Sequence, residues 1–133
     1  MTGASPEVLR KTLGAYFAAI AARDPQRIAS IFAEDGELED PVGSPIRRGR
    51  AQVAAMFAAG VAALATQVQI EVLVALPSGN SIAAHWAMTA RGKAGREIRA
   101  EGIDVLQVNT EGLIMRAEGY WNAGDFRAAL ASS

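Results

Sequence analysis

Residues 66–92, TQVQIEVLVALPSGNSIAAHWAMTARG, decide the fold class, because apolar side chains recur there at every second position. This alternation is typical of strands that are buried on one face, and the turn residues 77–80 divide the segment into two such strands. We therefore predict a long β-hairpin. Its inner face is expected to carry Val68, Ile70, Val72, Val74 and Leu76 from the first strand and Ile82, Ala84, Trp86, Met88 and Ala90 from the second.

The residues before the hairpin follow helical spacing. A capping serine and a proline at residues 5–6 begin a first helix, and an aspartate and a proline at residues 24–25 begin a second. We expect the second helix to end at residues 35–36 and a short strand to follow at residues 37–40. A third helix is expected at residues 50–63.

The residues after the hairpin continue the sheet. Two further strands are expected at residues 96–108 and 113–121, followed by a short helix with Asp125 as its N-cap. Helices that precede an antiparallel meander are the α+β pattern. Because 133 residues suffice for one domain with its own core, we expect a single domain over residues 1–133.

Composition excludes several classes of function. The 13 basic residues nearly balance the 14 acidic ones, which leaves no basic surface for nucleic acid and no polybasic patch for a membrane. No apolar run has the length of a signal or a membrane span, so we expect a cytoplasmic protein. The chain has no cysteine and a single histidine, His85 on the outward face of its strand, so no zinc site of ordinary composition is expected.

A short basic run, RRGR at residues 47–50, is interpreted as a solvated loop. The alternative is that it meets an acidic group of a substrate.

One carboxyl group, Asp104, lies on an otherwise apolar strand face. Burial disfavours the charged form, so a desolvated Asp104 would be a neutral hydrogen-bond donor at pH 7. Two alternatives remain open: an ion pair with an arginine such as Arg116, or a bulge that turns the side chain to solvent. The face consists of Ile98, Ala100, Gly102, Asp104, Leu106 and Val108.

A second carboxyl group lies in the run Glu39-Asp40-Pro41-Val42-Gly43-Ser44. The residue before a proline is extended, and the turn that follows should leave Asp40 at the mouth of a cavity. Alone, such an aspartate is more often a turn residue than a base. Trp121 could supply it with an indole N–H and an apolar wall.

Tyr16 falls in the apolar stripe of the first helix, so its phenol should point into the interior. A tyrosine in such a stripe is usually a core residue whose hydroxyl reaches a carbonyl or water. Taken together with Asp40 and Asp104, it suggests a base that faces two donors to an oxyanion.

The chain resembles the steroid Δ5-3-ketoisomerase family over nearly its whole length. That family lies within the nuclear-transport-factor-2-like group, which shares a cone-shaped fold. The segments that carry the resemblance are Ala15-Tyr16, Ala22-Arg23-Asp24, Ile31-Phe32-Ala33-Glu34-Asp35, Leu38-Glu39-Asp40-Pro41-Val42-Gly43-Ser44, Gly102-Ile103-Asp104 and Tyr120-Trp121.

The resemblance implies three N-terminal helices packed in a strongly curved, mainly antiparallel sheet that forms a cone-shaped pocket. It further implies that Asp40 moves a proton from C4 to C6 of a 3-oxo-Δ5-steroid, while Tyr16 and protonated Asp104 hydrogen-bond the C3 oxygen. A carboxylic acid kept neutral for this purpose is well known in that family. The resemblance implies no cofactor, no metal and a homodimer.

The ligand implied is a steroid or a similar hydrophobic small molecule. Candidate wall residues of its pocket are Phe57, Trp86, Met88, Met115 and Trp121. Two departures from the family stand out. Phe32 and Phe57 occupy positions where members often have further tyrosines, and the approach to the final Tyr-Trp pair holds one extra residue, which suggests a bulge at residues 118–119.

A different class of function is also compatible with the fold, namely a non-catalytic binder of hydrophobic ligands. Polyketide cyclases and epoxide hydrolases with the same fold are a further alternative. A binder needs no base opposite paired donors, and a hydrolase needs a polar cluster to position water, which the predicted inner faces lack.

Overall fold

The computed structural model describes residues 3–132, so residues 1, 2 and 133 of the expected domain lie outside the described part. The elements are α1 (Pro6–Ala21), α2 (Pro25–Ser30), β1 (Phe32–Glu39), β2 (Arg47–Arg48), α3 (Arg50–Ala59), α4 (Val61–Leu64), β3 (Ala65–Ser78), β4 (Ser81–Gly92), β5 (Glu97–Val108), β6 (Ile114–Tyr120) and α5 (Ala123–Ala131).

The sheet has six strands in the order β2-β1-β6-β5-β4-β3. All neighbours run antiparallel except β1 and β6, which are parallel. The inner faces of β4 and β5 pack against α1 and α5, and α3 packs against α2 and β1, all in one hydrophobic core. The α+β prediction with a mainly antiparallel sheet is therefore confirmed.

The helix starts agree with the capping signals. The side chain of Ser5 accepts a hydrogen bond from the backbone N–H of Val8 at 3.2 Å, and Asp24 accepts from the N–H of Arg27 at 3.2 Å. Each cap satisfies one of the free N–H groups of a first helical turn. No helix among residues 3–132 is both long and apolar enough to cross a lipid bilayer.

Two helix ends were predicted wrongly. Helix α2 ends at Ser30, and the chain is already in β1 at Phe32, which pairs with Ile114 of β6. Phe32 is fully buried, and a buried apolar residue at the end of a short segment does not by itself distinguish helix from strand. The third helix breaks at Gly60, whose backbone angles are not helical, and resumes as α4.

A bulge in β3 reverses the predicted orientation of half a strand. Val72 pairs with Trp86 and Val74 with His85, so Leu73 is an extra residue between the two pairs. One extra residue moves every later side chain to the opposite face. Val74 and Leu76, expected inside, are consequently 52% and 66% exposed on the outer face.

A second bulge lies in β6, at a place different from the one expected. Gln107 pairs with Arg116 and Val108 with Ile114, which leaves Met115 without a partner across the strand pair. Glu118 and Gly119, where a bulge was expected, instead pair regularly with Val105 and Asp104.

The cap of α5 also differs from the prediction. Asn122 is the N-cap, and its side-chain oxygen accepts from the N–H of Asp125 at 3.2 Å. Asp125 lies in the first turn of the helix, where an acidic side chain is favourable.

Candidate active site

A largely apolar cavity of about 160 Å³ opens between the helices and the inner face of the sheet. Two carboxyl groups border it: Asp40, directly after β1, and Asp104 on β5. Its aromatic wall consists of Phe17, Phe57, Trp86, Trp121 and Phe126.

Asp104 lies on the inner face of β5 and is only 5% exposed. The indole N–H of Trp86 donates to its Oδ1 at 3.0 Å. The alternative ion pair between Asp104 and Arg116 is not formed. The guanidinium of Arg116 instead binds three glutamates of β1 and β6: Glu37 at 2.9 Å, Glu39 at 2.8 Å and Glu118 at 3.3 Å. The buried acid thus has a neutral hydrogen-bond donor beside it.

Asp40 follows the last residue of β1, and its peptide bond to Pro41 is cis. Its Oδ1 accepts the indole N–H of Trp121 at 2.6 Å, the contact that the sequence suggested. A hydrogen bond joins the turn after Asp40 to β6: the N–H of Val42 donates to the carbonyl of Gly119 at 2.8 Å. Asp40 is half-buried at the cavity.

The two carboxyl groups meet at Gly119. A Cβ at this glycine would lie 2.5 Å from Oδ1 of Asp40 and 3.2 Å from Oδ1 of Asp104. Such distances exclude any larger residue from this position without displacement of Asp40. Gly119 therefore makes room for both acids on one side of the sheet.

The pair is set to titrate in two separate steps. Burial is the main cause that raises the pKa of Asp104 to about 8, repulsion from Asp40 adds to the rise, and the Trp86 hydrogen bond opposes it. Burial also raises the pKa of Asp40 to about 6, while the Trp121 hydrogen bond and the charge of Arg47 hold it down. At pH 7 one carboxylate and one carboxylic acid thus face the same cavity.

Tyr16 is fully buried on α1, and its Oη has no hydrogen-bond partner among residues 3–132. Burial, and then the charges of Asp104 and Asp40, raise its pKa well above the ordinary value, so the phenol is a neutral donor. Its ring contacts Phe32 and Phe57 with centroid separations of 5.8 and 6.3 Å, so no second phenol supports it there.

Both the sequence and the fold of this chain are similar to those of known proteins. The sequence profile of the SnoaL-like domain matches residues 13–117. This chain belongs to the SnoaL-like family. Over 120 residues the SnoaL-like chain is 30% identical to a steroid Delta-isomerase of Nocardioides simplex, a match that covers 88% of this chain and 92% of that protein.

Solved structures share the fold of this SnoaL-like domain. One is SalBIII, an epoxide hydrolase/cyclase-like enzyme of pyran ring formation in the polyether salinomycin, with a TM-score of 0.76, 23% identity and coverage of 90% of this chain and 94% of that one. Another is RV0760c of Mycobacterium tuberculosis in complex with estradiol-17beta-hemisuccinate, with a TM-score of 0.75, 23% identity and coverage of 90% and 96%. The predicted cone-shaped fold is confirmed by these matches.

Four of the five residues predicted to line the pocket border the cavity of the SnoaL-like domain, and one does not. Phe57, Trp86, Met88 and Trp121 border the cavity as expected. Met115 does not: it is 37% exposed, because the bulge at this residue turns it away from the inner face on which the adjacent Ile114 is buried. Tyr16 is packed directly behind the wall and is not part of its surface.

Several wall residues were missed at the level of sequence. Phe126 and Leu130 of α5 border the cavity, and their spacing of four residues on one helix face is a signal that could have indicated it. Arg47 also borders the cavity, so the prediction of a wholly solvated basic loop was wrong for this residue. Arg50 faces the protein too, since its Nε donates to the carbonyl of Phe32 at 2.9 Å.

No group of three or more His, Cys, Asp or Glu side chains within residues 3–132 is arranged to hold a metal ion. Asp40 and Asp104 border the cavity, and the phenol of Tyr16 lies behind its wall.

Proposed function

We propose that this SnoaL-like protein is a steroid Δ-isomerase that converts 3-oxo-Δ5-steroids to their Δ4 isomers. The observation that carries the proposal is the pairing of Asp40 and Asp104 at one apolar cavity with separated pKa values of about 6 and about 8. A proton shuttle needs a base that is ionised and an acid that is protonated at the same pH.

In the proposed reaction Asp40 removes a proton from C4, and the electrons move into a dienolate whose charge lies on the C3 oxygen. Asp104 and Tyr16 donate hydrogen bonds to that oxygen. Asp40 then returns the proton to C6, which leaves the double bond between C4 and C5. Proton loss and gain balance, so the step needs no cofactor.

The hydroxyl of Tyr16 supports this assignment. A buried hydroxyl without a partner costs roughly 1–3 kcal/mol. Within residues 3–132 no group accepts from Oη, and the negative charges of Asp104 and Asp40 add to the effect of burial in raising the pKa of the phenol. A ketone oxygen that reaches the two donors would relieve that cost, and it would do so most strongly when it carries negative charge.

The apolar wall supports a hydrocarbon skeleton as the rest of the ligand. Burial of apolar surface contributes about 25 cal/mol per Å². Besides the two acids, the polar side chains at the cavity are Ser44, Arg47 and Arg127. Ser44 and Arg47 donate to the backbone carbonyls of Pro41 and Pro45, and this favours the isomerase over an epoxide hydrolase, which needs polar side chains to position water.

We also propose that the protein acts as a cytoplasmic homodimer. A row of paired residues crosses the outer face of the sheet, with Val74 on β3, His85 on β4, Ile103 on β5 and Tyr120 on β6. Three of these four residues are large hydrophobics with substantial exposure. A second copy would cover that row.

The decisive experiment is an ultraviolet assay for the conjugated enone product, run on the wild type and on Asp40→Asn. We expect conversion by the wild type and a loss of about 10²–10⁴-fold in kcat for the variant, with steroid binding retained. Asp35→Asn is the matched control, since Asp35 is an exposed acid on β1, the strand that leads to Asp40.

Two results would contradict the proposal. Absence of enone from the wild type would exclude the isomerase reaction. Full activity in Asp40→Asn would remove Asp40 as the base.

A further inference from the structure

The carboxyl group of Asp104 makes asymmetric contacts. Among residues 3–132 it receives one hydrogen bond, from Nε1–H of Trp86 to Oδ1, and Oδ2 has no hydrogen-bond partner. Oδ1 is also the oxygen that lies near Gly119 and the carboxylate of Asp40. Oδ2 is thus the oxygen that remains available to a ligand in the cavity.

The side chain of Trp86 is held in place by packing against neighbouring residues of the sheet. It lies opposite Gly102 of β5, and a Cβ at that glycine would be 2.5 Å from Cζ2 of the indole. The ring of Trp121 packs edge-on against it, with a centroid separation of 5.4 Å. The indole is 5% exposed, so its N–H direction is held by packing on more than one side.

We propose that Trp86 is a positioning residue that determines which oxygen of Asp104 carries the proton. An N–H donor binds the carbonyl oxygen of a carboxylic acid, so the hydroxyl is placed on Oδ2, from which it donates to the ligand oxygen. This inference rests on the proposed function, because it gives the orientation of the acid that the isomerase reaction requires.

A tryptophan suits this task because its donor is neutral. The ionisable groups around Asp104 are Asp40 at the end of β1 and Tyr16 on α1, with Arg47 beyond Asp40. An arginine or lysine at the position of Trp86 would orient the carboxyl group but would also ionise it. An indole orients the acid and leaves its proton in place. Its hydrogen bond also polarises the acid and strengthens the donor on the other oxygen.

The test compares two ligands that differ by one oxygen. Estradiol carries a 3-hydroxyl that can occupy the position of the C3 oxygen, and the same steroid without that hydroxyl cannot. In the wild type we expect tighter binding of estradiol. In Trp86→Phe the ratio of the two dissociation constants should fall by about fivefold to tenfold, since the donor is lost, while lost packing affects both ligands alike.

Three variants make the result specific. Ile82→Val alters the buried inner face of the same strand outside the cavity lining and removes no donor, so the ratio should stay at its wild-type value. Trp86→Met is a second donor-free replacement, to be used if Trp86→Phe does not fold. In an Asp104→Ala background, Trp86→Phe should leave the ratio unchanged, because Trp86 acts through the carboxyl group.

The outcomes separate the inference from the proposed function. An unchanged ratio in both Trp86 variants, or an equal effect with and without Asp104, overturns the inference. A wild type that does not distinguish the two ligands overturns it as well. A wild type with the expected ratio but no enone product leaves the role of Trp86 standing and contradicts the isomerase activity alone.

Discussion

The indole N–H of Trp121 donates to Oδ1 of Asp40 at 2.6 Å, so the proposed base is held by a residue 81 positions further along the chain. This contact parallels the one from Trp86 to Asp104. Each acid has one oxygen bound by an indole, and the two indoles pack against each other.

Removal of the Trp121 donor should change how the base titrates. The hydrogen bond stabilises the ionised form of Asp40 and lowers its pKa, so Trp121→Phe should raise that pKa above about 6. A hydrogen bond to a charged group contributes about 1.5–3 kcal/mol, or roughly one to two pKa units. The acidic limb of the kcat/KM profile should move to higher pH by that amount. An acidic limb at its wild-type position would contradict this role of Trp121.

The wild-type protein should show a bell-shaped pH profile. Activity requires ionised Asp40 and protonated Asp104, whose pKa values are raised to about 6 and about 8. The rate should therefore rise as Asp40 loses its proton, reach a maximum near pH 7, and fall as Asp104 loses its own. Measurement of kcat/KM between pH 5 and 9 on a steroid without ionisable groups checks this. A flat basic limb would show that Asp104 is not the acid.

Gly119→Ala should impair catalysis without loss of the fold. The new Cβ would stand 2.5 Å from Oδ1 of Asp40, so the carboxylate must shift. A displacement of about 1 Å at a reacting group can cost about 10²-fold in rate. Gly14→Ala is the matched control, because nothing lies within 4 Å of a Cβ there and alanine should stabilise helix α1 by about 1 kcal/mol. Equal kcat values for the two variants would be evidence against this geometry.

Tyr16→Phe should increase the stability of the protein and decrease its activity. Loss of the buried, unpartnered hydroxyl should stabilise the ligand-free protein by roughly 1–3 kcal/mol. Loss of an oxyanion donor should raise the barrier by about 2.7–4 kcal/mol, which lowers kcat by 10²–10³-fold. Urea unfolding and the enone assay measure the two effects. A variant that is less stable and equally active would place the hydroxyl outside the site.

Local sequence patterns predicted the parts of this protein that depend on near neighbours. The caps at Ser5 and Asp24 were correct, because each is decided by hydrogen bonds within one helical turn. The inner faces of β4 and β5 were correct, and with them the burial of Asp104, because unbroken alternation places side chains on a single face.

The errors in side-chain orientation lie where strand pairing departs from regular alternation. Leu73 and Met115 are bulged residues, and each changes the face on which its neighbours lie. Whether a bulge forms depends on the partner strand and on the packing between the two strands. The spacing of apolar residues along one strand does not indicate either.

By itself, the sequence determined the fold class, the starts of α1 and α2 and the burial of one acid and one phenol, because these follow from periodicity and capping over a few residues. Only the tertiary structure decided that Asp40 and Asp104 meet at Gly119, that the indole of Trp86 binds Asp104, and that α5 helps to form the wall of the cavity. These contacts join residues that are distant along the chain, and strand register and helix packing bring them together. For the same reason the separation of the two pKa values is a property of the folded protein, since it arises from burial and from the closeness of the two carboxyl groups.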